Sequence, residues 1–256
     1  MTNAAPQTGD VYLKVTGVDS YVEIASSADY SIATTGELSV SAWMRPDTLD
    51  FPRWEETGYV YWLGKGDSGK QEWAFRMYNR DNTTETPPRP NRISVYTFNP
   101  DGGLGVGSYF QDTLQDGSWI FVVGVADSTR TYIYRDGLYR RCDTYRGPQA
   151  GPCPIHFQAP PNDNLQLEID PTAGSAPLRL GTRDFNSFFE GGLSRLRIWN
   201  RALGADEITA LYSTDTVPAD GLVAEFLLNG DAGTIATDTV QGNNGNLFGA
   251  IWDVQP

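Results

Sequence analysis

The dominant pattern along the chain is short-period alternation. Leu38, Val40, Ala42 and Met44 alternate with Ser39, Ser41 and Trp43, and Trp119, Phe121, Val123 and Val125 alternate with Ile120, Val122 and Ala126. A period of two predicts strands, and the near-absence of polar residues in the second run predicts a central one. Thr131–Arg135 and Leu138–Cys142 flank Asp136-Gly137, a dipeptide that tolerates positive φ at both positions and so predicts a type I′ hairpin. Pro87, Pro88 and Pro90 break the polar stretch from Arg80 to Arg92, and Pro160, Pro161, Asn162 and Asp163 break a later one, marking loops between strands. One segment departs from this pattern. In Gly204–Tyr212, Asp206 and Glu207 fall in a first turn, where the helix dipole favours anions, and Ile208, Leu211 and Tyr212 share one face, predicting a short helix near 204–212 that lies on the strands.

Length and composition fit this all-β reading. At 256 residues, with 39% hydrophobic, 12% aromatic and 20% charged residues, the chain has the balance of a packed domain, and sandwiches of this size commonly form one unit. The formal charge of −13 argues against nucleic acid, which is held by clustered Lys and Arg, and against anionic membranes. No apolar run approaches the length needed to span a bilayer. Met1–Asp10 is polar, with Pro6 and Gly9, unlike a signal peptide. Cys142 and Cys153 lie in a stretch rich in Gly and Pro, where a disulfide would staple a loop and contribute on the order of 3 kcal/mol; two free thiols are the alternative.

Several segments, taken in order, resemble the laminin-G-like family of the concanavalin A-like lectin/glucanase superfamily. These are Val15–Ile24 (VTGVDSYVEI), Leu38–Pro46 (LSVSAWMRP), Tyr61–Gly69, Asp116–Val125 with Arg130–Leu138, Pro177–Gly181, and above all Phe189–Ile208 running into Leu211-Tyr212. The resemblance implies a two-sheet antiparallel jelly-roll sandwich covering residues 1–256. Gly221–Phe226 and Gln241–Asp253 resemble elements that precede the Gly-x-x-Asp-Ser-Tyr segment in relatives, yet here come last. The expected consequence is shifted termini, with segment 220–254 closing the sheet beside the N-terminal strand and burying both edges.

The residues weigh against catalysis. Hydrolases on similar folds place two carboxylates together, but the chain has no Glu-x-Asp-x-Glu, and Glu55-Glu56 and Asp206-Glu207 are adjacent pairs. Tyr12–Gly17 and Ile155-His156 mimic parts of jelly-roll polysaccharide lyase motifs, but in the wrong order and with Pro154 in place of the Gln. His156 is the chain's one histidine, which leaves zinc without ligands. Calcium needs only oxygen ligands. The resemblance suggests Asp19 and Asp253 for it, although Leu193-Ser194-Arg195 stands where relatives carry a second acid.

The expected function is therefore non-enzymatic recognition. The candidate ligand-binding residues are the loop aromatics Trp54, Tyr59, Tyr109 and Tyr145, whose rings would stack on sugars, and Arg53, Arg140 and Arg141, which would pair with acidic groups. Each ring could instead pack beneath its own loop. Trp43, Trp119, Trp199 and Trp252 are expected on strands in the core. The expected setting is a virion, as a phage decoration or tail-adhesion protein, or the extracellular medium. The partners would be surface glycans or other virion proteins, and a homo-oligomer fits either. The alternative is a carbohydrate-binding domain of a secreted polysaccharide-degrading enzyme.

Overall fold

A computed structural model of the chain describes residues 5–83, 85–98, 105–146, 169–230 and 233–256. The strands are, in chain order, β1 (Val11–Thr16), β2 (Tyr21–Ile24), β3 (Leu38–Pro46), β4 (Tyr59–Asp67), β5 (Lys70–Tyr78), β6 (Ile93–Phe98), β7 (Gly105–Phe110) and β8 (Ile120–Ala126). They continue with β9 (Arg130–Arg135), β10 (Leu138–Thr144), β11 (Leu178–Leu180), β12 (Glu190–Trp199), β13 (Leu222–Phe226), β14 (Ile235–Ala236), β15 (Gly245–Phe248) and β16 (Ile251–Val254). A one-turn helix α1 (Ile32–Thr35) precedes β3, and α2 (Ala205–Thr214) follows β12.

Among the described residues these strands form two antiparallel sheets of eight, the jelly-roll sandwich that the family resemblance implies. The front sheet runs β14-β15-β2-β11-β4-β5-β6-β7 and the back sheet β10-β9-β8-β3-β12-β1-β16, with β13 also on β12. The C-terminal segment pairs with the N-terminal strands in both sheets, but the expected burial of both edges is corrected, because β16 is itself the last strand of the back sheet, with Ile251 and Val254 exposed. β16 pairs with β1, Tyr12 opposite Asp253, and β15 pairs with β2, Leu247 opposite Val22. Arg45 locks this junction: its guanidinium donates to the Tyr12 hydroxyl (2.7 Å) and to Gln255 Oε1 (2.6 Å) and stacks on the Tyr12 and Trp119 rings.

Between the sheets, Leu13, Val40, Met44 and Val122 meet Val22, Trp62, Phe75 and Val95, all buried. Gly124 in β8 allows the close approach at the centre, since a Cβ there would lie 2.6 Å from the Phe75 ring and 2.8 Å from Val95. The Asp136-Gly137 turn has φ of 52° and 76°, the pair of positive values that the hairpin demands.

Helix α2 seals the outside of the back sheet. Glu207 accepts from the Gly204 N–H (2.8 Å) and is forked by Arg201 (2.9 and 2.6 Å), and Ile208 and Leu211 pack on Trp43, Phe121 and Trp199. This explains why all nine residues of β3 are buried although its pattern alternates. Ser39 is covered yet satisfied, donating to Arg201 O (2.8 Å) and accepting from Leu203 N (2.9 Å). Of the four expected core tryptophans, Trp43 and Trp199 are buried. Trp119, just before β8, and Trp252 in β16 are only half-buried, because each caps a sheet end, donating its indole N–H to Gln255 Oε1 (2.9 Å) and to Gly233 O (3.1 Å).

Candidate functional site

Helix α2 covers the part of the back sheet around Trp43, Phe121 and Trp199, while the outer face of the front sheet carries a cluster of exposed rings, and its chemistry divides into an open part and a covered part. Alternation in β2 and β15 turns Tyr21 and Phe248 outward, and the 181–189 connection lays Phe185 beside them. Phe248 stacks on Tyr21 (centroids 4.8 Å apart, planes at 15°), while Phe185 meets Tyr21 edge-on at 5.0 Å. Phe185 and Phe248 remain 37% and 43% exposed, which is unusual for three clustered rings. Phe185 sits at φ 68°, a conformation that costs a non-glycine residue energy. The loop holds it there: Thr182 Oγ1 accepts the Phe185 N–H (3.1 Å) and donates to Ser187 O (2.7 Å).

Beside the rings stands Arg179 of β11. Its guanidinium stacks on Phe185 (4.4 Å) and donates to Glu23 (2.8 Å), Asp67 (2.8 Å) and Arg183 O (2.6 Å). Desolvation, followed by the Glu23 carboxylate, pushes the Tyr21 phenol above its ordinary range. The arrangement offers flat apolar rings edged by a charged, hydrogen-bonding rim.

The covered part lies over β4–β7. Tyr59, Tyr61, Tyr78 and Phe98 are buried there around half-buried Tyr96. Arg76 lies among the rings, 3.9 Å from the Tyr96 centroid, 4.6 Å from Tyr59 and 5.2 Å from Tyr78. Arg183 covers Tyr61 at 3.8 Å. Burial holds the Tyr59 and Tyr61 phenols well above their usual range. Glu55, at the rim, is pushed up to about 7, first by desolvation and then by the Asp184 carboxylate, with Arg183 opposing.

The sequence candidates are dispersed by this geometry. Trp54 is 50% exposed. Its neighbour Arg53 adjoins the open rings but is engaged as a clamp, donating to Val18 O (3.2 Å) and Phe185 O (2.7 Å) and stacking on Phe188 (4.6 Å). Tyr59 is corrected from a loop ring to the first residue of β4, buried because its side chain joins the tyrosine cluster. Tyr145 is likewise buried, its hydroxyl donating to Asp127 O. Tyr109 lies half-buried on β7 between Arg92 (3.8 Å) and Arg141 (4.2 Å). Arg141 is buried and forked by Asp143 at 2.6 Å, and Arg140 is paired with Asp112 at 2.6 Å, so neither offers an unsatisfied charge to a ligand.

Asp19 is exposed, while Asp253 Oδ2 accepts from Lys14 (3.0 Å) and Tyr12 (2.9 Å). Among the described residues no group of three or more His, Cys, Asp or Glu is gathered as metal ligands are. Cys142 is buried and disulfide-bonded; Cys153 and His156 lie outside the described residues, as do Pro160–Asp163. Tyr21, Phe185 and Phe248 escaped the sequence reading, although the Tyr21/Glu23 and Asn246/Phe248 alternation carried a signal for two of them.

The family model for the concanavalin A-like lectin/glucanases superfamily matches residues 16–152, just over half of the chain. No curated protein matches significantly. Among solved structures, a Bacteroides ovatus protein described as a candidate carbohydrate-binding protein superposes with TM-score 0.60 at 15% identity, over 97% of this chain and 61% of its own. The heptameric SAP-like pentraxin of Limulus polyphemus superposes with TM-score 0.57 at 11% identity, over 98% of both chains. The chain thus spans about three-fifths of the first and nearly all of the second. At these identities the likeness concerns the fold.

Proposed function

Since the chain belongs to the concanavalin A-like lectin/glucanases superfamily, we propose that it is a non-enzymatic carbohydrate-recognition module whose ligand lies on the open outer face of the front sheet. The observation that carries this reading is the exposed Tyr21–Phe248–Phe185 platform rimmed by Arg179, Glu23 and Asp67. Sugar rings present apolar C–H faces edged by hydroxyls. Aromatic platforms with a few placed polar groups complement both features. The B. ovatus relative described as carbohydrate binding supports the same direction.

The pairing of carboxylates on this face supports binding in preference to hydrolysis. Glu23 and Asp67 are both committed to Arg179, and Asp184 to Arg183, which leaves the raised Glu55 carboxyl without a free partner among them, whereas glycoside cleavage requires one carboxyl group as proton donor and a second as nucleophile or base. The proposed setting is a virion or extracellular surface, as a decoration or tail-adhesion protein, with the binding domain of a secreted polysaccharide-degrading enzyme as the alternative. The absence of a bilayer-spanning helix among the described residues accords with either.

The test is a glycan array followed by titration of the strongest hit. Phe248→Ala and Phe185→Ala should each weaken binding by about two- to tenfold, given about 0.5–1.5 kcal/mol for one aromatic contact, with unchanged melting profiles. Binding unaffected by both substitutions would remove the ligand from this face.

A further inference from the structure

The protein carries net charge −13 with 19 Lys and Arg in all, yet five arginines, Arg76, Arg89, Arg92, Arg141 and Arg183, converge on the tyrosine-lined half of the front sheet. Three of them are matched by carboxylates: Arg89 by Glu85, Arg141 by Asp143 and Arg183 by Asp184. Among the described residues Arg92 has the Gln111 amide oxygen as its side-chain acceptor, at 2.9 and 3.1 Å. Arg76 differs from all of these. It is 91% buried, with 9% exposure, and among the described residues no carboxylate, carbonyl or hydroxyl accepts from it; its Nε has no partner, and neither do Nε and Nη1 of Arg183.

A guanidinium Nε held away from water without an acceptor is costly. The faces of Tyr59, Tyr78 and Tyr96 recover part of that cost through cation–π attraction. They cannot satisfy the in-plane N–H donors, because rings meet a guanidinium over its face. Those donors therefore call for an acceptor from outside the chain. A planar carboxylate is the group that matches a guanidinium fork in charge and geometry.

We infer that Arg76, assisted by Arg183, forms an anion subsite that receives the carboxylate of an acidic sugar such as a uronic acid. The inference rests on the carbohydrate reading above and narrows its ligand class. The 181–189 connection joins the two halves: Arg183 reaches Tyr61 and Phe98, while Phe185, two residues on, contacts Tyr21. A saccharide stacked on the open rings would thus have its charged unit directed toward Arg76. The aromatic platform supplies contact with the ring faces, and the subsite supplies discrimination between acidic and neutral sugars.

The experiment compares an oligogalacturonate with its methyl ester, which retains the ring faces and removes the charge, by calorimetric titration of the full chain. The subsite predicts that the acid binds the wild type at least roughly tenfold more tightly than the ester, the scale of one charge-assisted hydrogen bond. Arg76→Gln should abolish that preference and leave ester binding intact. Phe248→Ala should weaken both ligands together. Equal binding of acid and ester by the wild type overturns the subsite and leaves the carbohydrate reading standing. If neither oligosaccharide binds, a thermal shift by free glucuronate that vanishes in Arg76→Gln upholds the anion site and no shift overturns it, while the platform stands or falls by the glycan array. Should Arg76→Gln fail to fold, Arg76→Lys replaces it, expected to keep part of the acid preference because it retains the charge without the fork. The same preference in Arg76→Lys as in wild type overturns the assignment.

Discussion

Glu55 gives the sharpest quantitative test of the electrostatics around the tyrosine cluster. Its carboxyl is raised from 4.5 to about 7, chiefly by desolvation, with the Asp184 and Glu56 carboxylates adding to it and Arg183 and Arg76 opposing. Because the folded value lies above the unfolded one, the folded state binds the extra proton. Stability contributed by the neutral carboxyl is present at low pH and is lost as pH rises from about 4.5 through about 7. The difference between 4.5 and about 7 corresponds to about 3–4 kcal/mol at about 1.4 kcal/mol per pH unit. Glu55→Gln keeps the shape of the neutral acid and cannot ionise. It should therefore be more stable than wild type by up to about 3–4 kcal/mol at pH 8, and nearly equal to it at pH 4. In a chain of this size that is roughly 6–16 °C in melting temperature. Thermal unfolding followed by far-UV circular dichroism, from pH 4 to pH 8, reads the difference directly. A gap between variant and wild type that stays constant over this range would show that Glu55 titrates as an exposed acid and would refute the reasoning.

Four further outcomes follow from packing and charge. Gly124→Ala drives a methyl group into Phe75 and Val95 at the sheet interface, so chemical denaturation should show a loss of about 1–3 kcal/mol; an unchanged midpoint would mean that the sheets separate freely. Trp62→Ala empties a fully buried site and should cost about 3–5 kcal/mol in the same assay. Asp253 is held below its ordinary range, first by the Lys14 hydrogen bond and then by that from Tyr12; the stability it contributes is present above the usual carboxylate range and lost as pH falls through it, so Asp253→Asn should lower the melting temperature at pH 7 and converge with wild type in acid. Asp19 lies beside Gly249 and Asp253 opposite Tyr12, at opposite ends of the β1–β16 pair, so the two acids named for calcium do not share one ion; calcium at Asp253 alone must displace Lys14 and should raise the melting temperature only at millimolar concentrations, and a melting temperature indifferent to calcium and to chelator removes the metal from the reading.

The elements legible in the sequence are those whose signal is local. The Asp136-Gly137 hairpin, the α2 stretch with its acidic first turn and the alternation of β3 each depend on neighbours within a few residues, and each is found where that chemistry places it. The pairing of the C-terminal segment with the N-terminal strands in both sheets is long-range, and it became legible only through segment order against relatives.

Site residues fared differently because exposure is a property of two partners. Tyr59 adjoins a Pro- and Gly-bounded loop and so reads as a loop ring, but its burial is decided by Tyr78 and Arg76 on the next strand. Tyr21 and Phe248, 227 positions apart, become a platform only because β15 pairs with β2 in the register that sets one opposite the other. Arg76 is least visible of all. It sits in an alternating strand with Ala74 and Tyr78, where arginine ordinarily marks the solvent side. The structure lines that side with the rings of Tyr59, Tyr78 and Tyr96, so Arg76 is buried there instead of solvated. The anion subsite proposed for Arg76 rests on a charged residue at an outward position that is nonetheless buried, with its Nε lacking an acceptor among the described residues. That conclusion requires both the alternation, which sets the direction, and the packing, which removes the water.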